Sequence, residues 1–363
     1  MKELKKVKRA RPEQGRRVLV AMSGGVDSSL TAALLSARGG SAFGGKERRY
    51  NACGVFLNLG QINYKQALEA AKKVAKKIDI PLKIIDLRKQ FKKEVIDYFF
   101  ETYSRGDTPN PCVICNKKIK FGLLFKLMGK WKFDYLATGH YVRLLKNKKW
   151  KLKIAADRTK DQSYFLYNLD QKQLAKLLFP LGNYTKEEVK KIADQRHLPY
   201  LKKESQEICF VHDADLAGFL KKRLHAKKGP IIELKTGKKI GEHNGVQFYT
   251  IGQRVPVGGT GPYYVADKNL NKNQLLVVQK NDKNFFRKEI KLKNVNWISS
   301  KPPKSAKILV RTRYRQPLVV AKITLHASRY MLHFNQPVKF VAPGQSAVFY
   351  NKESELLGGG VII

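Results

Sequence analysis

The residues best suited to chemistry lie in segment 18–29, VLVAMSGGVDSS, where an apolar run ends in a Ser-Gly-Gly turn and a helical pattern begins. Gly24 and Gly25 lack a Cβ, so the turn can take positive φ and bring backbone N–H groups close to an anion. Serine hydroxyls add donors, and the Asp27 carboxylate could hold a metal ion that rides on the phosphates. Because no lysine follows as in the Walker A pattern, we expect the loop to hold a part of the nucleotide other than the γ-phosphate.

A second candidate is segment 106–121, GDTPNPCVICNKKIKF, which contains Cys112 and Cys115. Alone, this spacing has three interpretations: half a zinc site, a redox pair, or one reactive thiol with a bystander. Structural zinc needs a second pair, whereas Cys53 and Cys209 stand singly, so zinc is disfavoured. Basic residues after Cys115 favour a thiolate, and this makes Cys115 the candidate nucleophile. Cys209 lies between apolar neighbours, and on spacing alone it would be a core residue.

Predicted strands and helices, which could position these residues, alternate along the first half of the chain. Alternating strands and helices predict an α/β fold with a Rossmann-like parallel sheet. Ligands of such a sheet bind at the carboxyl ends of the strands, where the Ser-Gly-Gly turn and Gly139-His140 both fall. The predicted helices are 26–37, about 67–78 and 91–102, and the predicted strands after the first are 53–59, 82–87 and 133–138.

The pattern changes beyond about Asp213. One more amphipathic helix, with Leu216 and Leu224 on one face, is followed by short β segments with Gly and Pro turns. This predicts a small central β-rich domain and a C-terminal β-barrel. The predicted domains are a basic tail at 1–16, an α/β domain at 17–212, a central domain at 213–283 and the barrel at 284–363.

Charge indicates a polyanionic partner. The 363 residues contain 72 Lys and Arg against 29 Asp and Glu, a net charge of +43, which exceeds what solubility requires. The alternative explanation is that proteins of the source organism have a generally basic amino-acid composition. In a strand at 308–315, the period of two would place Arg311, Arg313 and Arg315 on one face, which suits RNA phosphates. A solvated basic face is the alternative there.

The composition also indicates the cellular compartment in which the protein is expected. No run of about 18 apolar residues is present, and the basic N-terminus lacks the apolar segment of a signal peptide, so we expect no membrane partner. The tail is interpreted as disordered or in contact with RNA. Four cysteines are too few for a disulfide scaffold in a chain of this length, and a reducing cytoplasm is expected.

The chain resembles a known family along nearly its whole length. SGGVDSS is similar to the pyrophosphate-binding loop of the ATP pyrophosphatases, which transfer AMP to a substrate oxygen. TPNPCVICNKKIKF, ATGHY, KDQSYFLY, SQEICF, YTIGQR, RYRQ and PGQSAVFY with LGGGVI resemble, in this order, the tRNA-specific 2-thiouridylases. The resemblance implies that ATP and Mg are used to adenylate the 2-oxo group of the wobble uridine. A cysteine persulfide, loaded by a sulfur-relay or cysteine desulfurase protein, would then supply sulfur to the tRNA.

The resemblance also implies roles for individual residues. Cys115 matches the catalytic cysteine and Cys209 the persulfide carrier, while any Mg would bind through Asp27. The implied ATP contacts are Ala21, Met22, Ser23, Gly24, Gly25, Val26, Asp27, Ser28, Leu57 and Gly139. The implied tRNA contacts are Asn110, Pro111, Cys112, His140, Lys160, Asp161, Gln162, Arg313, Tyr314 and Gln345.

The sequence departs from the family pattern at Cys112, where some members have Asp. Any acid-base role of that carboxylate would fall to the Cys112 thiol in this chain. Two rival functions remain. An iron–sulfur cytidine thiolase would use Cys112 and Cys115 as cluster ligands and would need a third. A non-catalytic RNA-binding protein would explain the charge but would leave SGGVDSS and the cysteines without a purpose.

Overall fold

The computed structural model describes residues 15–36, 50–202, 208–211, 215–257, 261–280, 282–303, 307–326 and 329–363. Most of the predicted basic tail and the glycine-containing loop 39–45 lie outside these residues. Within them, the chain forms three sheets, and helices surround the first of these.

The first sheet is parallel, as predicted, with strands in the order β3-β2-β1-β4-β7. Its strands are β1 (Arg17–Ala21), β2 (Asn51–Asn58), β3 (Leu82–Asp86), β4 (Tyr135–Ala137) and β7 (Leu177–Leu178). The central strand β1 is covered on both faces, since Val18, Leu19 and Val20 are fully buried. The carboxyl ends of β1, β2 and β4 therefore meet at one edge of the sheet.

Helices connect the strands of this sheet. The single helices are Val26–Leu35, Tyr64–Lys77, Gln171–Leu174 and Lys186–Gln195, and short 3-10 turns lie at Ser163–Leu166 and Pro180–Asn183. Two longer helical runs are each made of three consecutive parts. The first run consists of Arg88–Phe91, Lys92–Ile96 and Asp97–Ser104, and the second is described below. The predicted capping box is confirmed: the Thr185 hydroxyl accepts from the Glu188 N–H, and the Glu188 side chain accepts from the Thr185 N–H.

The second run contains Cys112 and Cys115. It consists of Pro111–Ile114, a π-helical stretch Cys115–Leu123 and Leu124–Lys130. A Cβ on Gly122 would lie 2.6 Å from the carbonyl oxygen of Lys117, so the absence of a side chain there permits the wide turn. π-Helical turns are frequent at functional sites, and this one begins at Cys115.

The second sheet forms the predicted central domain with strands in the order β10-β11-β12-β8-β9. Its strands are β8 (Gly229–Glu233), β9 (Lys239–His243), β10 (Arg254–Val255), β11 (Tyr263–Asn269) and β12 (Gln274–Gln279). The helix Leu216–Lys221 precedes them and ends before Leu224, and the turn Val246–Phe248 lies between β9 and β10.

The third sheet closes into a barrel, as predicted. Its ring is β13-β16-β15-β14-β17-β18, and β18 pairs back with β13. The bounds are β13 (Phe286–Trp297), β14 (Lys307–Arg311), β15 (Val319–His326), β16 (Arg329–Lys339), β17 (Ser346–Tyr350) and β18 (Glu355–Ile362), with the turn Lys283–Phe285 before them. A hairpin from the first domain, β5 (Arg143–Asn147) and β6 (Lys149–Lys153), pairs with β18.

One predicted strand of the barrel is wrong in length. Strand β14 ends at Arg311, and the chain then turns, with φ +67° at Arg315. Arg311, Arg313 and Arg315 therefore do not line one face of a strand. The turn contains Tyr314, which packs on Phe165 with 4.5 Å between ring centroids, so a contact outside the strand replaces the alternating pattern.

The barrel and the first domain share a hydrophobic core. Val348, Tyr350 and Leu356 of the barrel are buried in the same cluster as Leu19 and Leu136 of the parallel sheet. The barrel is therefore joined to the first domain by both strand pairing and a common core. None of the described helices is long and apolar enough to cross a membrane.

Candidate active site

The loop after β1 has the conformation that the glycines predict, with one difference. Gly24 has φ +79°, and a Cβ there would overlap the carbonyl oxygen of Ala67, so only glycine fits. Gly25 instead has φ −81° and caps the helix Val26–Leu35. The helix start therefore faces the turn with its N–H groups, as an anion site requires.

Ser28 organises this loop. Its hydroxyl accepts a hydrogen bond from the Ser23 N–H at 3.0 Å and donates to the Gly25 carbonyl oxygen at 3.0 Å, and the two serine oxygens lie 3.2 Å apart. Because these bonds fix the turn before any ligand arrives, little ordering is needed when an anion binds.

Asp27 has partners that the sequence analysis missed. Its Oδ1 accepts from the Lys186 ammonium group at 2.7 Å and from the Tyr141 hydroxyl at 2.8 Å. The Lys186 side chain is only 10% exposed. Lys186 is the first residue of the helix Lys186–Gln195, and the capping box predicted that helix start but not its partner 159 residues away. The loop without a Walker lysine thus has a lysine from a distant helix.

The other residues implied to contact ATP meet at the same sheet edge. A Cβ on Gly139 would lie 2.9 Å from the carbonyl carbon of Asp27, so the end of β4 lies directly against the loop. Leu57 lies near the end of β2, next to β1, and packs against both the core shared with the barrel and the apolar cluster that contains Cys115. The implied set is therefore compatible with one nucleotide site.

Three of the four cysteines come together. Cys115, Ile208, Phe210 and Val211 pack in one apolar cluster, which brings Cys209 to the helix that contains Cys112 and Cys115. All four cysteines are unpaired thiols. Cys53 is buried in β2, within a different cluster.

Thiol ionisation differs from the sequence expectation. Enclosure by protein raises the pKa of the Cys115 thiol, and this outweighs the opposing charge of Lys120, so the surroundings do not favour a thiolate as predicted. Enclosure, with the nearby thiols of Cys115 and Cys112, also raises the pKa of Cys209 to about 12. Cys209 as a residue is exposed to solvent, yet its sulfur is crowded by its neighbours.

Lys120 is the cation shared by this cluster. Its charge lowers the pKa of all three thiols against the larger effect of burial. It acts also on His140, whose burial holds the pKa of the imidazole well below its usual value. His140 is 7% exposed, and its Nδ1 lies 2.6 Å from the Thr138 hydroxyl, so the ring is neutral at physiological pH.

The loop before Cys112 is held by both other domains. Lys268 of β11 donates to the carbonyl oxygens of Gly106 and Tyr249, the latter at 2.8 Å. Gln345 donates to the Thr108 and Pro109 carbonyl oxygens at 3.2 and 2.8 Å. Gln345, implied as a tRNA contact, therefore positions the loop that leads to the cysteines. Desolvation of Lys268 lowers its pKa to about 8.

Asn110 and Pro111 are buried at the start of the helix, whereas Cys112 is exposed. The Asn110 side chain accepts from the Val113 N–H at 3.4 Å as the helix cap. Of these three neighbours implied to contact tRNA, Cys112 is thus the one that faces solvent.

A basic cavity of about 420 Å³ lies between the first domain and the barrel. Its lining residues are Arg158, Thr159, Lys160, Asp161, Arg311, Tyr314 and Arg315. Asn116, next to Cys115, donates to the Phe165 carbonyl oxygen at 3.2 Å, and Phe165 packs on Tyr314. The structure therefore joins the KDQ and RYR segments, which lie about 150 residues apart, next to the cysteine helix.

Asp161 supports this cavity from inside. It is 2% exposed and accepts from Arg311, from the Ala155 N–H at 3.1 Å and from the Ser163 hydroxyl at 2.8 Å. Its carboxylate therefore orients a cation rather than facing the cavity with a free charge. Gln162 accepts from the Tyr141 N–H at 3.0 Å and so ties the cavity wall to the segment after His140.

Arg313, another residue implied to contact tRNA, lies close to Tyr164 and Tyr103, and burial lowers its pKa. It is absent from the lining of the basic cavity, which Tyr314 and Arg315 do line. The turn after β14 therefore divides its side chains between the cavity and the aromatic interior.

Among the described residues, no group of three or more His, Cys, Asp or Glu side chains is arranged to hold a metal ion. The three thiols near Lys120 are thus not arranged as a metal site in this conformation.

Family models match nearly all of the chain. Residues 16–213 match the tRNA methyl transferase HUP domain, residues 217–279 the tRNA methyl transferase PRC-barrel domain, and residues 287–362 the aminomethyltransferase beta-barrel domain. These three matches follow the order of the three sheets, so the predicted architecture is confirmed.

Similar proteins extend over the same length. The chain is 41% identical to tRNA-specific 2-thiouridylase MnmA 2 of Clostridium botulinum strain Hall, over 95% of this chain and 98% of that protein. It is 40% identical to tRNA-specific 2-thiouridylase MnmA of Moorella thermoacetica, over 95% and 98%, and 39% identical to that of Syntrophotalea carbinolica, over 96% and 99%. The chain therefore belongs to the tRNA-specific 2-thiouridylases, a family of tRNA-uridine sulfurtransferases.

Proposed function

We propose that this enzyme replaces the 2-oxo oxygen of the wobble uridine of tRNA by sulfur, through adenylation of that oxygen and transfer from a persulfide on Cys209. The observation that supports this most directly is the meeting of two sites. Leu57 lies two residues after Val55, whose carbonyl oxygen accepts from the Met22 N–H just before the phosphate loop, and it packs against the same cluster as Cys115. A nucleotide at the loop and a base at the thiols would thus be neighbours.

The loop residues suit ATP as a substrate. A ten-residue helix starts at the turn, Gly24 opens the backbone, the serine oxygens are fixed, and Lys186 supplies a cation. This set fits a triphosphate held by its inner phosphates. Asp27 would hold Mg, since carboxylate oxygen is a ligand that Mg prefers in proteins, and Lys186 would then turn to the phosphates. ATP supplies the adenylyl group that makes the uracil oxygen a leaving group.

The chain's own residues would then carry out the sulfur transfer. The outer sulfur of the Cys209 persulfide attacks C2 of the base, and AMP leaves with the former 2-oxo oxygen. The Cys115 thiolate attacks Sγ of Cys209, which forms the disulfide between them and leaves the second sulfur on C2 as 2-thiouridine. The Cys115 sulfur is oxidised to the disulfide level while the outer persulfide sulfur is reduced to the level of 2-thiouridine, and Sγ of Cys209 exchanges one S–S bond for another, so electrons balance.

Docking of the tRNA is assigned to the basic cavity and the adjacent loop. Arg158, Lys160 and Arg315 line the cavity and would meet phosphates. The target base must leave its stack to reach the thiols, as in other enzymes that modify bases. Asn110, Pro111, Cys112 and His140 would surround it, with the neutral imidazole as a hydrogen-bonding group.

Exposed Cys209 suits loading by a persulfide-carrying protein, either a sulfur-relay protein or a cysteine desulfurase. Its raised pKa keeps the unloaded thiol protonated, whereas the outer sulfur of a persulfide extends beyond the crowded position. A reducing compartment such as the cytoplasm suits thiols that are all unpaired.

The first test separates adenylation from sulfur transfer. The Cys209→Ser variant should form AMP from ATP in the presence of tRNA but should yield no 2-thiouridine, because the ATP site uses no thiol. Cys115→Ser should accept the persulfide and then stall. AMP release and nucleoside mass spectrometry measure the two steps, and Cys53→Ala, with its thiol in β2, is the matched control.

Full 2-thiouridine formation by Cys209→Ser would contradict the persulfide assignment. AMP formation that does not depend on tRNA would contradict the adenylation of its base. A brown chromophore after anaerobic purification would instead favour an iron–sulfur mechanism.

A further inference from the structure

We propose that Cys112 is the resolving thiol of the catalytic cycle: it attacks the disulfide left between Cys115 and Cys209 after one turnover and frees Cys209 to be loaded again. This inference rests on the proposed function and adds a step that follows sulfur transfer. It gives a role to the Cys-x-x-Cys spacing that the reaction above leaves unused.

The helix brings Cys112 to Cys115. Pro111–Ile114 continues without a break into Cys115–Leu123, so residues three apart lie on one face with Cβ atoms roughly 5–6 Å apart. A disulfide needs about 3.5–4.5 Å between Cβ atoms, so its formation takes a small adjustment. The adjustment falls in the first turn, where the cap bond from the Val113 N–H to Asn110 is long at 3.4 Å. A disulfide between Cys112 and Cys115 would thus involve only the first turn of this helical run.

Cys209 approaches the same face. Its neighbour Phe210 is buried among the aromatic side chains of the helical run Asp97–Ser104, and Cys115 packs against that cluster. The thiols of Cys112 and Cys115 both act electrostatically on Cys209, and Cys112 acts on Cys115. Cys112 is therefore close to both sulfurs of the disulfide that it would resolve.

The exchange is balanced without any outside oxidant. The Cys112 thiolate attacks Sγ of Cys115, a bond forms between these two sulfurs, the bond from Cys115 to Cys209 breaks, and Cys209 leaves as a thiolate that takes up a proton. One disulfide replaces another. An external dithiol then reduces the pair Cys112 and Cys115 with two electrons and two protons.

Two features make a built-in nucleophile useful here. Because the pKa of Cys209 is raised to about 12, its thiolate is a slow leaving group, and the attacking thiol must be held next to the disulfide. Cys112 and Cys209 are both exposed whereas Cys115 is half-buried, so each disulfide has one sulfur on an exposed residue, and the exchange serves to free Cys209 for loading. A strained disulfide in a helical turn is also readily reduced.

The experiment follows disulfides through one turnover of the full-length enzyme. Enzyme with persulfide on Cys209 is mixed with tRNA and ATP without reductant, alkylated at intervals and mapped by non-reducing mass spectrometry. In the native enzyme, the link between Cys115 and Cys209 should appear first. It should then decay while the peptide with Cys112 and Cys115 becomes lighter by two hydrogen atoms.

In Cys112→Ser and Cys112→Ala, the Cys115 to Cys209 link that forms in the first turnover should persist. Multiple-turnover rates with a dithiol, taken relative to the first turnover of the same variant, should fall by about tenfold or more, because a dithiol in solution lacks the proximity of a thiol held in the same helix. Cys53→Ala should behave as the native enzyme.

Native multiple-turnover rates in both Cys112 variants would overturn the proposal, as would a link from Cys112 to Cys209 or an iron–sulfur chromophore. The proposed function has its own readout, since failure of the native enzyme to form 2-thiouridine from the loaded persulfide would remove that function. A defect confined to later turnovers concerns Cys112 alone.

Discussion

At the scale of the residue, the ion pair of Asp27 with Lys186 gives the phosphate loop a charge that the local sequence lacks. Asp27→Ala and Lys186→Met should each lower tRNA-dependent AMP formation by about 100-fold or more, since both groups act on charge that develops at the phosphates. Binding of tRNA should change little. Product analysis of radiolabelled ATP and filter binding of tRNA measure the two effects.

The control is Lys191→Met, an exposed lysine on the same helix. Normal AMP release by Asp27→Ala would show that the loop does not position the phosphates. Equal losses in Lys186→Met and Lys191→Met would point to a general charge effect.

Ionisation of the thiols should make the rate of sulfur transfer increase with pH. The thiolate is the nucleophile and burial raises the pKa of Cys115, so its thiolate fraction, and with it the single-turnover rate of sulfur transfer, should rise with pH through the neutral range. Lys120→Met removes a charge that lowers this pKa. In this variant, the increase of the sulfur-transfer rate with pH should occur at higher pH, and the rate near neutral pH should be several-fold lower than in the native enzyme.

The matched control for this prediction is Lys126→Met, an exposed residue of the same helical run. Single-turnover rates that stay flat from mildly acidic to mildly alkaline pH in the native enzyme would show that thiol ionisation does not limit sulfur transfer. An identical shift in both variants would remove the specific role of Lys120.

At the scale of the element, the π-helical stretch Cys115–Leu123 depends on Gly122. Gly122→Ala would place a Cβ 2.6 Å from the Lys117 carbonyl oxygen and should lower the free energy of unfolding by about 1–3 kcal/mol. Gly129→Ala, in the same run, meets nothing within 4 Å and should be neutral or stabilising by up to about 1 kcal/mol. Denaturant unfolding measures both.

This pair of variants also tests geometry. Gly122→Ala should slow sulfur transfer more than AMP formation, because the distorted turn begins at Cys115 while the phosphate loop lies on another element. If both alanine variants have the stability of the native enzyme, the π-helical turn is not under the constraint described here.

At the scale of the whole molecule, charge should govern tRNA binding. Replacing Arg158 or Arg315 of the cavity with alanine should reduce the slope of log affinity against log salt by about 0.7–0.9 for each phosphate that the variant no longer neutralises. Lys73→Ala, an exposed lysine of the helix Tyr64–Lys77, is the control of equal charge. The same reduction in all three variants would indicate a diffuse electrostatic attraction.

Deletion of the barrel is a weaker test of the same idea. The barrel buries Val348 and Tyr350 against the first domain and pairs with β6 through β18. Removing it would expose that core, so weaker binding would not report on phosphate contacts alone. Point variants of exposed cavity residues leave the shared core intact.

Local features of the fold could be predicted from the sequence. The order of strands and helices, the loop with Gly24, the capping box at Thr185 and the three-part architecture follow from short-range patterns, because periodicity and caps depend on neighbours along the chain. The resemblance of its motifs indicated the family, which the comparisons show.

Contacts between groups far apart in the chain could not be predicted from local patterns. The contact of Lys186 with Asp27, the anchoring of the Gly106 carbonyl oxygen by Lys268 and the approach of Cys209 to Cys112 depend on sheet order and domain packing. The raised pKa of Cys115 opposed the prediction from its basic neighbours, because desolvation depends on what encloses a group in space. Strand β14 ended early because Tyr314 packs on Phe165, a contact about 150 residues apart that no local period encodes.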